Sequence, residues 1–134
     1  MLAEAENRLI AAAAKIAVPY TASKHCESGY VGAALLTKAG HVYTGVNVDA
    51  VCGIGFCAEH AAVAEMLKHR ESEIVAMAAV NSDGIPTTPC GRCRELLYQV
   101  NPSNLNMKVL LGDGESCLLS ELLPRRWQET PGWE

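Results

Sequence analysis

Seven consecutive apolar residues, Ile74–Val80 (IVAMAAV), constrain this chain more than any other stretch. An unbroken apolar strand is buried on both faces, so both faces of its sheet must be covered. The covering helices are legible to either side. In Cys57–His69, residues Glu59, Ala62, Val63, Met66 and Leu67 fall at i, i+3, i+4, i+7 and i+8, the spacing of one helical face. Pro89 opens a second helix running to about Val100, because proline is tolerated in a first helical turn. Residues 2–17, rich in Ala, Leu, Glu and Lys, predict a third helix that Pro19 ends.

The remaining segments supply strands. Tyr30–Thr37 and His41–Val48 read as a hairpin around Ala39-Gly40. Met107–Leu111 is a further strand. Gly112-Asp113-Gly114 turns the chain into a short fifth strand near Ser116–Leu118, and Leu119–Leu123 is a helical turn ended by Pro124. Residues 20–29 (YTASKHCESG) read as loop, and the tail beyond Trp127 as loose. At 134 residues, without a linker or repeat, the chain is expected to form one α/β domain over residues 1–134, its sheet flanked by helices.

Charge narrows the partners. The net charge is −4 and no basic run exists, which argues against a nucleic acid polymer. The longest apolar run in the first segment, Leu9–Ala14, stops at Lys15, far short of the roughly 20 residues of a membrane span. Glu4 and Glu6 stand where a secretory signal would be cationic, so a cytoplasmic location is expected. In that compartment the six cysteines are expected to be reduced thiols or metal ligands rather than disulfides. Charged residues make up only 19% of the chain, which suggests surface hidden in an assembly.

Chemistry concentrates at two helix starts. Cys57-Ala58-Glu59 opens one helix and Pro89-Cys90-Gly91-Arg92-Cys93 the next. Cys90 and Cys93, three apart, share a face. Helix N-termini favour anions, so both thiols are expected to be partly ionised. Three thiolates from two helices suit a tetrahedral zinc with one position left for water. Glu59 lies on the apolar stripe of its helix, where an inward carboxylate is costly unless compensated. A metal-bound water within reach would compensate it, and the carboxylate could then serve as that water's base.

C-A-E followed by P-C-x-x-C resembles the zinc-dependent cytidine deaminase family, in its small cytidine deaminase and blasticidin S deaminase branches. The resemblance runs through most of the chain. Val31–Thr37 (VGAALLT) is similar to the family's first strand, Gly45-Val46-Asn47-Val48-Asp49 to its G-x-N-x-E segment, and Leu122-Leu123-Pro124 with Trp127 to its C-terminal motif. It implies a three-layer α-β-α fold with a mixed five-stranded sheet. It implies one Zn²⁺ per chain on Cys57, Cys90 and Cys93, with Glu59 moving protons from the water to the ring nitrogen and the leaving amine. The backbone at Ala58 and Thr88 would hold the base edge, and Asn47 and Asp49 the sugar. Trp127 would reach a ligand or cover a subunit boundary. His60 stands where the family commonly has Arg, so His60, Arg92 and Arg94 are expected to tune the thiolates. The implied activity is hydrolysis of cytidine or deoxycytidine to the uracil nucleoside and ammonia, in pyrimidine salvage, by a homotetramer. Departures touch the substrate side: Gly29 replaces a phenylalanine that stacks on the base, Asp49 shortens the acid, and the loop before Cys57 is one residue short. Two alternatives stay open, a deaminase for a modified cytosine nucleoside such as blasticidin S and a structural zinc-binding interaction module.

Overall fold

The computed structural model describes residues 2–133. Helix α1 (Leu2–Ile16) leads into strands β1 (Tyr20–Ser23), β2 (Cys26–Thr37) and β3 (Val42–Ala50). Helix α2 (Ala58–Lys68), strand β4 (Ile74–Asn81) and helix α3 (Gly91–Val100) follow, and β5 (Lys108–Gly112), β6 (Glu115–Leu118) and the short α4 (Leu119–Leu122) complete the order.

Strand β2 organises the sheet. Strand β3 pairs antiparallel along one edge of it. The other edge takes β1 through Cys26–Ser28 and then β4 from Val31 to Thr37, again antiparallel. The β4–β5 pair is parallel and β5–β6 antiparallel, so the sheet is mixed. It has six strands where the sequence suggests five, because β1 lies within the segment that reads as loop. All four residues of β1 are exposed, so no alternation of burial marks it; backbone pairing of Tyr20 with Ser28 and Thr21 with Glu27 makes it a strand.

The apolar run behaves as its composition demands. Ile74 and Ala76–Val80 are buried, and Val75 alone reaches solvent. Helix α1 covers one face of the sheet, packing Leu9 and Ala13 on Ala34, Ala78, Val80 and Leu110. Helices α2 and α3 cover the other, where Ala62, Met66 and Leu97 pack on Leu35, Met77 and Val109. Burial of each such large side chain stabilises by about 2 kcal/mol, and together they fix the layers that carry the chemistry.

Two local devices set the helix positions. Gly45 on β3 lies under the start of α2, where a Cβ would fall 2.4 Å from the Ala62 nitrogen and 2.8 Å from the Ala58 carbonyl oxygen. Only glycine lets α2 sit this close, so the N-terminus of α2 is seated by a missing side chain. Asn104, fully buried, accepts from the Ile74 N–H (2.8 Å) and donates to the carbonyls of Leu97 (2.9 Å) and Ser72 (3.1 Å). It thereby ties the end of α3 to the start of β4. Asn104→Ala would orphan those three backbone groups. The expected cost is about 3 kcal/mol, or a fall of about 10 °C in Tm for a domain of this size. Thermal and urea unfolding check it, and a loss below about 1 kcal/mol would mean that water replaces the side chain.

Candidate active site

Cys57 and Cys90 are the N-cap residues of α2 and α3, each in extended backbone. The sequence places Pro89 inside the first turn of α3; in the structure it precedes the Cys90 cap. The caps point at each other. Cys57 Sγ is 3.5 Å from Cys90 Sγ, Cys90 Sγ is 3.5 Å from Cys93 Sγ, and all three sulfurs lie within 4.8 Å of one another. Zinc–sulfur bonds of about 2.3 Å at tetrahedral angles separate sulfurs by about 3.8 Å, so this donor set fits zinc. Among the described residues it is the only group of three or more His, Cys, Asp or Glu so placed, and no fourth donor joins it. A closed structural zinc site uses four protein ligands; three leave a position open.

The thiols differ electrostatically. Burial pushes the Cys90 thiol up, but the backbone N–H groups of Cys93 and Arg92 and the neighbouring thiols outweigh it and hold the group below its ordinary value. Burial raises Cys57, and the neighbouring Cys90 adds to this. Cys93 is buried and pushed far up, first by burial and then by the Glu59 carboxylate. The helix N-terminus therefore favours the anion at Cys90, as the sequence suggests, whereas at Cys93 desolvation wins.

Glu59, in the first turn of α2, is only 4% exposed. Burial lifts its carboxyl above the ordinary range, against the opposing effects of its own backbone N–H and the Cys93 thiol. The inward carboxylate implied by the stripe of α2 is therefore real, and it lines the cavity onto which Cys57 and Cys90 open. That cavity, of about 530 Å³, is bounded by Asn47 and Asp49 of β3, by Cys57, Ala58 and Glu59 of α2, and by Thr87, Thr88, Cys90 and Arg92 ahead of and within α3.

Comparison with known proteins agrees with this geometry. Residues 4–109 match the model for the cytidine and deoxycytidylate deaminase zinc-binding region. The chain belongs to this family. It is 37% identical over 97 residues to a cytidine deaminase of Halalkalibacterium halodurans, spanning 70% of this chain and 74% of that protein. It is 29% identical over 122 residues to a blasticidin-S deaminase of Bacillus cereus, spanning 84% of each. The crystal structure of cytidine deaminase from Mycobacterium tuberculosis superposes with a TM-score of 0.75 at 31% identity, covering 90% of this chain and 95% of that one.

Within this zinc-binding deaminase family member, the structure brings most of the residues singled out by sequence into one place, the cavity that holds Asn47, Asp49, Cys57, Ala58, Glu59, Thr88, Cys90 and Arg92. His60 Nδ1 lies 3.6 Å from Cys93 Sγ, and burial, then the Arg92 charge, lower the pKa of the ring. Arg94 points elsewhere: its Nε donates to the Pro89 carbonyl (2.8 Å) and its guanidinium to the Leu122 carbonyl (3.2 Å), so it braces the loop before Cys90 against the end of α4. Trp127 does not line the cavity; it packs on Trp133 with ring centroids 4.1 Å apart. Cys26 and Cys117 are half-buried, and Cys52 is exposed. Val31, Phe56 and Thr87 also line the cavity. No motif or periodicity in the sequence marks these three as site residues, since backbone pairing and turn geometry place them there.

Proposed function

We propose that this protein catalyses the hydrolytic deamination of a cytosine nucleoside, cytidine or deoxycytidine, to the corresponding uracil nucleoside and ammonia, within pyrimidine salvage. The observation that carries the reading is a buried carboxylate, Glu59, in the same cavity as Cys57 and Cys90, two of three clustered thiols that no fourth ligand joins among the described residues. Cys57, Cys90 and Cys93 are the residues that would hold one zinc per chain. When bound there, zinc supplies an acidified water as nucleophile at neutral pH. Glu59 would take the two protons of that water in turn, passing one to the ring nitrogen and the other to the departing amine, so that the water oxygen ends as the carbonyl and ammonia leaves. Burial suits this work, because Glu59 is shielded from bulk water yet lines the cavity.

The other residues position the substrate and the thiols. We assign the base edge to the backbone at Ala58 and Thr88 and the sugar to Asn47 and Asp49; all four residues line the cavity. His60 and Arg92 temper the negative charge of the ligand set, and Arg94 does so at one remove, by fixing the Pro89 carbonyl. Three unpaired thiols in a ligand set suit a reducing compartment such as the cytoplasm. A homotetramer would cover apolar side chains left in solvent, among them Ile54, Val51 and Trp127.

A second reading, a modified cytosine nucleoside such as blasticidin S as substrate, is favoured by Gly29. Its φ is +84°, and a Cβ at this position would fall only 2.0 Å from the Val18 carbonyl oxygen, so position 29 admits no ring-stacking side chain. Zinc-loaded protein is expected to release ammonia from cytidine and deoxycytidine, and a higher kcat/KM on blasticidin S would select the second reading. Absence of turnover on all three overturns both.

A further inference from the structure

We propose that the cavity continues into a side chamber that seats an acyl group carried on the exocyclic amine of the base, so that acylated cytosine nucleosides are turned over beside the plain ones. This rests on the deaminase reading of the cavity and widens its substrate class. A second cavity, of about 420 Å³, adjoins the first. Gly53, Gly55, Phe56 and Arg92 line both, so the two meet along one boundary. The chamber is itself within the roughly 300–1,000 Å³ of a small-molecule site.

The boundary lies at the thiol end of the first cavity. Phe56 directly precedes Cys57, and Arg92 stands between Cys90 and Cys93. Asn47 and Asp49, assigned to the sugar, do not line the chamber. Deamination needs the carbon that bears the exocyclic amine at the thiol end, so a group on that amine is the part of the base nearest the boundary. Phe56 is fixed there by two backbone hydrogen bonds with Val48, each 2.9 Å. At Gly53 a Cβ would meet no atom within 4 Å, so the boundary is open at this point.

Beyond the boundary the walls are apolar. Ile54 comes from the loop, and Ala61 and Ala64 lie three apart on one face of α2. Ile54 is 73% exposed and Phe56 39%, a cost that a hydrocarbon group laid over them would relieve. No carboxylate lines the chamber among the described residues, so a cation is not its occupant. Its charged group is Arg92, which enters none of the ion pairs among the described residues. A guanidinium beside apolar walls suits an amide: its N–H groups donate to the acyl oxygen while the hydrocarbon covers Ile54 and Phe56. The reaction balances as the parent reaction does. Water adds its oxygen to the ring carbon, and the bond from that carbon to the exocyclic nitrogen breaks with its electron pair kept by nitrogen. One water proton ends on the ring nitrogen and the other on the departing nitrogen. The products are the uracil nucleoside and a carboxamide.

N4-benzoylcytidine is the probe. Zinc-loaded protein is expected to convert it to uridine and benzamide, resolved by chromatography. Cytidine and benzoate as products would move the attack to the acyl carbonyl and overturn the proposal. Ala64→Phe fills the chamber from α2 and should lower kcat/KM for the probe about tenfold, the scale of a mismatch in an apolar pocket. Cytidine should change by less than about twofold. Ile54→Ala, which removes wall instead of adding bulk, should also weaken the probe alone. Equal losses on both substrates, or none on the probe, overturn the proposal. So does a changed oligomer mass in Ala64→Phe with the probe unaffected, which would give the chamber to a second copy of the chain. Calorimetry on zinc-loaded Glu59→Gln reads binding without turnover. The probe should bind about tenfold more tightly than cytidine, and Ala64→Phe should abolish the difference. Absence of that difference overturns the proposal whatever the turnover. Absence of turnover on both nucleosides, with the difference present, overturns the deaminase reading and supports the chamber.

Discussion

Glu59→Gln is expected to keep zinc at one per chain and to lose about 10²–10⁴ in kcat, the usual contribution of a positioned proton carrier. Glutamine has nearly the shape of glutamate and fits the same buried pocket on α2, so the fold and the thiol cluster should survive. What it lacks is an oxygen that can take up a proton and hand it on. The other carboxylate that lines the cavity, Asp49, belongs to a different element, β3. Metal analysis and steady-state kinetics on the same sample test this. A kcat within about fivefold of the parent would remove Glu59 from the proton path. Loss of zinc would make it a metal ligand or a support of one.

The layers and the thiol cluster were legible in the sequence because each leaves a one-dimensional trace. The IVAMAAV run can only be a covered strand, and a helical stripe containing Glu59 announces an inward carboxylate. Two cysteine-bearing helix starts, either side of that strand, are brought together by the sheet itself. What stayed hidden depends on the backbone alone or on long-range partners. Strand β1 has four exposed residues and exists through pairing with β2. Asn104 reads as an ordinary turn residue until the end of α3 and the start of β4 converge on it. The β2 bulge between Ser28 and Gly32 has no compositional mark, yet Asn47 faces it and accepts from the Val31 N–H. The contrast between Cys90 and Cys93 likewise depends on depth, whereas in sequence both simply sit at the same helix N-terminus.

Removing zinc is expected to lower Tm by about 15 °C. A ligand present at a thousand times its Kd stabilises the native state by about 4.1 kcal/mol, which for a domain of this length corresponds to that shift. The site joins structures that are otherwise only neighbours. Cys57 caps α2, while Cys90 caps α3 and Cys93 lies in its first turn. Away from the site each helix is anchored by its own core residues, Val63 and Met66 on α2 and Leu97 on α3. Chelation should therefore loosen the two helix N-termini and leave the sheet intact. The same grouping crowds thiols beside the Glu59 carboxylate, an arrangement that a divalent cation relieves and that its removal exposes. Cys90→Ala should reproduce the lowered Tm and make it insensitive to added zinc or chelator, with metal content falling well below one per chain. Cys117→Ala, outside the cluster, should keep full zinc and the full response to chelation. Calorimetry with and without chelator, alongside metal analysis, reads both outcomes. Equal melting of the loaded and stripped protein would show that zinc does not tie α2 to α3, and full zinc in Cys90→Ala would remove that thiol from the ligand set.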